Sequence, residues 1–535
     1  MKKRLNIKSN YLFALIVIAF TSFSCSEKIF DEQVGETITP DQHYKSLVDM
    51  QVSMAGAFAP LQNVLPKLIV IDGLRSDQMI ATMNAEPYLK DINNQVLSFD
   101  NPYLDASDYY KVIINTNEAL ANIYKIAKID RNLDEYKLKY SKGALVTLRS
   151  WTYLNLVRLY GKAALIDDNL GALPANMTQN ILEKDVMINL LIDSLLPYII
   201  SEEEASKKAE LLFVNFMSSK AVLGELYLEK GDYANAAKYL KMAIESYRNN
   251  PEVYKVSSYV NEGWKSMFLN NGFGTGEIFY GGAMLELISA ISYDKNEGQF
   301  NPLAKWLLPA DQFMVQPTQL LVDSFRTQIS TQGLPGDIHR GIGASIDTTA
   351  SGVFYVNKYS ADKNDPFSAD IIISRASDLH LLLAEALNRL NGKDDSKNAL
   401  VLLNAGFKSE KPVPSLYNKW GKNQGIRGRV TLKSKVVPDS VYELPITADS
   451  IKVPLLGEAR INYIEDLIMN ERSLELAFEG KRWFDLVRVA KRRLDPSYLA
   501  NKVAAKFPES EKEAIRTKLM IESNWYLPFK KEVAK

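Results

Sequence analysis

The side chains able to do covalent or metal chemistry are few and badly spaced for it. Three histidines (His43, His339, His380) and one cysteine (Cys25) stand in 535 residues. A Cys/His zinc centre has almost nothing to be built from. No His-Glu-x-x-His or Gly-x-Ser-x-Gly pattern occurs, which removes the metal and serine hydrolases that use them. Gly272-Phe273-Gly274-Thr275-Gly276 has the look of a phosphate loop but lacks the third glycine spacing, the strand–helix frame and the lysine. Glycoside hydrolysis needs only two carboxylates, roughly 5 Å or roughly 6.5–9.5 Å apart across a cleft. The chain has 64 acids, and no spacing among them singles out a pair. No catalytic residue, metal ligand or cofactor is therefore expected.

What remains is binding chemistry. A sugar ring presents an apolar C–H face and a rim of hydroxyls, so it needs an aromatic platform beside planar hydrogen-bonding groups. The chain carries 27 Tyr, 21 Phe and 6 Trp. Asp72-Gly73-Leu74-Arg75-Ser76-Asp77-Gln78 is dense in planar polar groups and directly follows an apolar run. Tyr88 and Tyr103, with Asn84, Asn93, Asn94 and Asn101, lie in the adjoining irregular stretch. Tyr280, Tyr293, Trp306 and Phe313 are candidates for an opposite wall. The candidate ligand contacts are Asp72, Arg75, Asp77, Tyr88, Asn101, Tyr103, Tyr280 and Trp306.

The elements that must hold them are mostly α-helical. Apolar residues recur at helical spacing over about 40–65, 107–127, 134–160, 182–202, 208–230, 233–248, 369–391, 394–406 and 460–491. Strand patterns are short, at Glu277–Tyr280 and Gly352–Tyr359. The period fades between about 255 and 365 and again over 408–458, the kind of long irregular segment that carries function or packs as an excursion. Within 220–247, Leu223-Gly224, Tyr227, Ala236, Leu240 and Ala243 follow tetratricopeptide spacing. Small Gly224 and Ala236 allow close helix approach, and Gly231-Asp232 makes the turn. Ala384, Leu387, Ala399, Leu403 and Gly406 repeat the pattern. Two repeats do not make a stable solenoid, so the helix pairs at 107–160 and 182–230 are expected to supply the rest.

The first residues read as an address. Lys2, Lys3, Arg4 and Lys8 precede an apolar stretch from Leu12 to Phe20, then Thr21-Ser22-Phe23-Ser24 lead to Cys25. A basic start, a short apolar run and small residues make a secretory signal over 1–24. The sole cysteine at its end resembles a bacterial lipoprotein signal, with Cys25 as the lipid-modified first residue, although Ser22-Phe23-Ser24 departs from the usual lipobox. Removing 1–24 leaves 60 Lys+Arg against 64 Asp+Glu, a mildly acidic chain without the basic excess of a nucleic-acid binder. No cysteine is left for a disulfide, so packing must hold the fold.

Three blocks carry a resemblance. They are Arg149-Ser150-Trp151-Thr152-Tyr153-Leu154-Asn155-Leu156-Val157-Arg158-Leu159-Tyr160-Gly161, then 373–389 from Ile373-Ser374-Arg375 to Asn388-Arg389, then 471–488 from Glu471-Arg472-Ser473 through Gly480-Lys481-Arg482-Trp483-Phe484-Asp485 to Arg488. Together, in this order and with the closing Trp525-Tyr526-Leu527-Pro528, they resemble the SusD/RagB family of Bacteroidetes outer-membrane lipoproteins. The middle block departs from the family pattern at Ala376 and Asp378. The resemblance implies a mostly α fold in which tetratricopeptide-like helix pairs support an irregular, loop-rich ligand-binding half. It implies a lipid-anchored cell-surface protein that captures oligosaccharide and delivers it to a TonB-dependent, SusC-like outer-membrane transporter, performing no chemistry on the ligand. Residues 25–535 then form one SusD-like unit: 25–210 with the early ligand loops, 211–250 the tetratricopeptide pair, 251–368 the ligand-side excursion, and 369–535 the C-terminal part. Peptide capture within the same family, a helical glycoside hydrolase and a pure assembly scaffold are the alternatives. Trp483 is expected in the core, Arg149, Arg158, Arg472 and Arg482 in ion pairs with acids such as Glu471, Glu475 and Asp485, and Asp337-Ile338-His339-Arg340 in a surface turn.

Overall fold

A computed structural model of the chain describes residues 43–166, 180–200, 217–246, 253–256, 264, 267–268, 286–308, 312–360, 366–435, 443–445, 452–454 and 457–529. Cys25, Tyr280, the 272–276 glycines and the Glu277–Tyr280 strand lie outside these residues.

The expected first helix is two. α1 (Leu47–Phe58) starts at a capping box between Ser46 and Asp49 and ends before Pro60, whose fixed φ opens α2 (Leu61–Arg75) in a new direction. α2 is buried along most of its length, with Gln62, Asn63 and Lys67 on its more open side, as fits a central core helix. After a short strand β1 (Met79–Ala81) and helix α3 (Pro87–Asn93), the long pair α4 (Ser107–Ile129) and α5 (Glu135–Tyr160) packs antiparallel. Gly161, at φ +76°, caps α5 and turns the chain into β2 (Lys162–Ala164), which pairs with β3 (Ile181–Glu183) ahead of α6 (Lys184–Leu195).

The tetratricopeptide pair is α7 (Ser219–Lys230) and α8 (Tyr233–Ile244). A Cβ on Gly224 would sit 2.6 Å from Leu240 Cγ, so glycine is required for this approach. Gly231 (φ +81°) caps α7, and Ala236 is fully buried. α8 packs on α11 (Ala376–Leu390), which pairs with α12 (Lys393–Leu403) as the second repeat. Residues 371–375, expected to open a helix, are instead a strand, β8 (Ile371–Arg375), paired antiparallel with β4 (Leu287–Ile291). Ile371-Ile372-Ile373 is a β-branched run with stiff χ1 that suits a pleated surface. The strand expected at 352–359 is β7 (Phe354–Val356), on β6 (Ile346–Thr348).

The expected 460–491 helix breaks into α14 (Glu458–Glu475) and α15 (Arg482–Arg493), counting α13 as Ile426–Arg429. Phe478 and Gly480 take positive φ between them, and carbonyls at the end of α14 and just past it are met by side chains. Arg375 donates to Glu475 O (2.6 Å), Lys358 to Ala477 O (2.6 Å) and Tyr359 to Phe478 O (2.9 Å). α16 (Pro496–Ala504) and α17 (Glu509–Leu519) follow. Both escaped the sequence reading: on α17 only Ile515 and Leu519 are buried, too thin a stripe to show as a period.

Charge is buried on a large scale. Arg340, Arg375, Arg427, Arg429 and Lys358 face Glu286, Asp337, Glu471, Glu475 and Glu479, all inside the protein. Arg375 reaches Glu475 at 2.6 Å and Glu479 at 2.8 Å; Arg340 reaches Asp337 at 2.6 Å and Glu471 at 2.8 Å. Trp264 lies beside the cations, with Arg375 5.0 Å and Lys358 5.1 Å from its ring. The turn at 337–340 is thus corrected: Ile338 is exposed, but Asp337 and Arg340 point into this network. Arg427 and Arg429 on α13 show how part of the 408–458 segment packs: it delivers two guanidiniums to the same cluster. A second network links Arg472 to Asp378 and Asp485, and Arg488 to Glu385 and Asp485. Arg158 pairs with Glu225 and Glu229, and Arg149 donates to Asn117. Trp483 is wholly buried, as expected.

Candidate functional site

Residues 76–106 leave the core between α2 and α4 and return. Antiparallel pairing of β1 with β5 (Val315–Pro317) fixes this excursion, matching Met79 to Pro317. Thr82 adds two bonds, N–H to Met314 O (2.9 Å) and hydroxyl to Phe313 O (2.8 Å). Met314 N–H in turn donates to Trp306 O (2.9 Å), so strand pairing carries the 306–318 segment against the early loop.

Four of the sequence-chosen residues meet here. Asn101 Nδ2 donates to Tyr88 O (3.0 Å), while Asn101 Oδ1 accepts from Tyr103 N (3.0 Å). The Tyr103 ring meets Trp306 edge-on at 5.6 Å. Tyr103 donates its hydroxyl to Glu86 Oε2 at 3.0 Å, and burial together with that carboxylate holds the phenol well above its usual pKa. Only Tyr88 is well exposed, at 40%; Asn101, Tyr103 and Trp306 are 2%, 9% and 8% exposed. Asn101 is therefore corrected from a ligand contact to a brace, its amide used up inside the protein. Tyr103 and Trp306 pack on each other out of solvent, and Asn101 ties Tyr103 to the backbone of Tyr88. Asn84 and Asn94 are exposed, Phe313 is half-buried, and Asn93 and Tyr293 are buried.

The 72–78 segment is corrected more strongly. Asp72, 2% exposed, accepts the backbone N–H of Trp483 at 2.7 Å. Burial pushes its carboxyl up to about 7, against the Trp483 bond. Asp77 is gripped by Arg482 through two bonds of 2.8 Å. Arg75 is fully buried; it donates to Trp525 O (2.8 Å), Asn524 O (2.7 Å) and Gln95 Oε1 (3.2 Å), with Trp483 3.9 Å beneath its guanidinium. Asp72 and Arg75 are closed off from solvent, and Asp77 is taken up by Arg482, so none of the three faces a sugar. These three polar residues clamp the early loop to the C-terminal blocks. Lys506 does the same from α16, giving its ammonium to the carbonyls of Leu74, Ser76 and Met79. Burial brings its pKa down to about 7.

Arg75 also sets two walls of a cleft of about 810 Å³. One wall is Gln95-Val96-Leu97, directly after α3; the other is the closing segment from Glu522 to Phe529, with Tyr160–Lys162, Glu183–Asp185, Lys491 and Lys518 completing it. Gln95 sits at φ +58°, unusual for a side chain with a Cβ, and is held there by Arg75 and by Lys518 on its carbonyl. Gly161 lets Tyr526 lie flat: a Cβ there would be 3.2 Å from the ring. The sequence reading noticed Trp525-Tyr526-Leu527-Pro528 only as a family closing segment. The cleft was missed because six separate stretches of chain build it.

The described residues form a helical-repeat scaffold that carries aromatic and polar side chains on its loops. Comparison sharpens this. The SusD family matches residues 342–533. The SusD-like protein P38 of Formosa agariphila is 23% identical over 92% of this chain and 93% of its own. Among solved structures, a SusD superfamily protein from Bacteroides vulgatus superposes with a TM-score of 0.64 at 14% identity, covering 89% of this chain and 95% of that one. A laminarin-binding SusD-like protein superposes with a TM-score of 0.55 at 16% identity, covering 90% and 98%. Over 342–533 the chain matches the SusD family, and along most of its length it is similar to SusD-like proteins, whose fold it shares.

Proposed function

We propose that this chain captures oligosaccharide at the cell surface, with Tyr88 as the stacking ring, and passes it unaltered to a TonB-dependent, SusC-like outer-membrane transporter. The observation that carries the reading is exposed Tyr88, its backbone held by Asn101, which also holds Tyr103 against Trp306, with Asn84 and Glu86 close by in the chain. A solved relative that binds laminarin supports the ligand class. Calorimetry against a panel of neutral and acidic oligosaccharides tests it. Tyr88→Ala should weaken binding of whichever glycan is taken by about 1–3 kcal/mol, the usual cost of truncating an aromatic anchor. Affinity unchanged by that variant places the site elsewhere. Peptides bound in place of glycans would move the chain to the peptide-capturing reading, and released sugar products would make it a hydrolase.

Anchoring through lipidated Cys25 is part of the same proposal, supported by the basic and apolar leader before it. More than one acyl chain gives stable attachment, since a single chain binds a bilayer only marginally. Cys25→Ala expressed in the native host should move the protein from the outer-membrane fraction to the soluble one. Retention in the membrane after carbonate washing would argue against the anchor.

A further inference from the structure

We propose that the cleft between the 95–97 loop and the closing segment is a second saccharide site, one that takes a neutral, hydroxyl-rich unit. This rests on the glycan-capture reading and extends it to a second place on the chain. At about 810 Å³ the cleft is in the size range of small-ligand sites, roughly 300–1,000 Å³. Its cations are mostly committed. Lys491 is held by Glu522 (2.9 Å) and the Tyr526 hydroxyl (3.2 Å), Lys184 by Glu229, and Lys518 by the carbonyls of Asn94 and Gln95. Among the described residues, the side chains of Lys162, Glu183, Asp185 and Ser523 have no partner in the structure.

That remainder sets the ligand chemistry. A lone anion would face Glu183 and Asp185, and a lone cation would face Lys162. A sugar hydroxyl donates to the carboxylates and accepts from the ammonium at once, without net charge. Half-buried Tyr526 and exposed Val96 offer the apolar surface for a C–H face. The walls are prearranged: Arg75 bonds both of them, so little ordering is left to binding. Tyr88 is in the first turn of α3 and the cleft begins just past its end, about 10 Å along its axis.

The test counts bound sugars by native mass spectrometry, using neutral gluco-, xylo-, manno- and galactotrioses, a hexuronate trisaccharide and a tetrapeptide set. A Lys162→Ala/Asp185→Ala double variant changes only unpaired side chains; Tyr526→Ala is the second cleft variant, and circular dichroism checks both folds. Wild type is expected to hold two copies of at least one neutral trisaccharide. Each cleft variant should lose one copy, or weaken one at least tenfold, while Tyr88→Ala loses the other. If wild type holds one copy that only Tyr88→Ala removes, the cleft proposal falls and the glycan-capture reading stands. If wild type holds a single copy lost only in the cleft variants, a second site is likewise refuted. If no sugar binds, both fall. Preference of the cleft for the uronate or for peptide also overturns it.

Discussion

Glu475→Ala is expected to cost about 3–5 kcal/mol of folding stability, the range for removing one partner of a buried ion pair. Glu475 is wholly buried and accepts from Arg340 (2.9 Å), Arg375 (2.6 Å) and Arg429. Burial alone would raise its pKa, but those three guanidiniums hold the carboxyl far below the ordinary range. Removing it leaves four carboxylates for five cations in a volume closed off from the surface. The upper end of the range applies because three partners lose a bond together. Urea unfolding followed by tryptophan fluorescence measures it, since Trp264 lies against two of the arginines and the lysine. Glu509→Ala is the control: its pair with Lys512 is 89% and 43% exposed, and such pairs are worth about 0–1 kcal/mol. A loss below 1 kcal/mol for Glu475→Ala would mean the network contributes little beyond packing.

Acid should unfold the protein early and steeply. Burial raises the Glu385 carboxyl, but Arg488 and Arg492 override it and bring it down to about 2. Glu229, Asp378, Glu471, Glu475 and Glu479 are lowered by their cations in the same sense. The sign follows directly. The unfolded carboxyl, near 4.5, takes its proton first, so this stability is whole above about pH 5.5 and drains as pH falls towards 2. Glu385 alone accounts for about 3 kcal/mol on that scale. His380 adds to it. Its Nδ1–H donates to Ala376 O and its Nε2 accepts from Asn423, so a second proton has nowhere to point, and burial lowers its pKa to about 4. Its contribution is lost between about 6.5 and 4. Asp72 runs the other way: raised to about 7, it favours the folded state while protonated and offsets part of the loss. The denaturation midpoint should change little from pH 7 to 5, where Asp72 and His380 oppose each other, and fall sharply below 4.5. A midpoint that holds from pH 7 to 3 would refute the account.

How much was legible follows from what periodicity can carry. The α4–α5 and α7–α8 pairs and their glycines were readable, because Gly224 and Gly231 act within their own helices. The α1–α2 break was not, since the apolar run continues through Pro60 while the chain turns. Nor was the 476–481 break, which is stabilised by Lys358, Arg375 and Gln78 from remote segments. The candidate site divided the same way. Choosing planar polar groups near aromatics found Tyr88 and its three braces, but that chemistry describes a buried clamp as well as a sugar site. Arg75, Asp72 and Asp77 satisfied the pattern and turned inward, because their partners at 482–483 and 524–525 lie some 400 residues away.

Those separations bear on how the chain reaches its final form. Arg75 bonds Trp525, Lys506 bonds Leu74, and Gln78 bonds Ser473, across 450, 432 and 395 residues. α2, buried along most of its length, takes part of its cover from 473–525, far along the chain. Contacts of such range must await loop closure, which makes assembly slow and leaves apolar surface open meanwhile. The closing segment is therefore a clasp: until Trp525 docks on the arginine of the second helix, the emerging polypeptide is a client for chaperones and proteases.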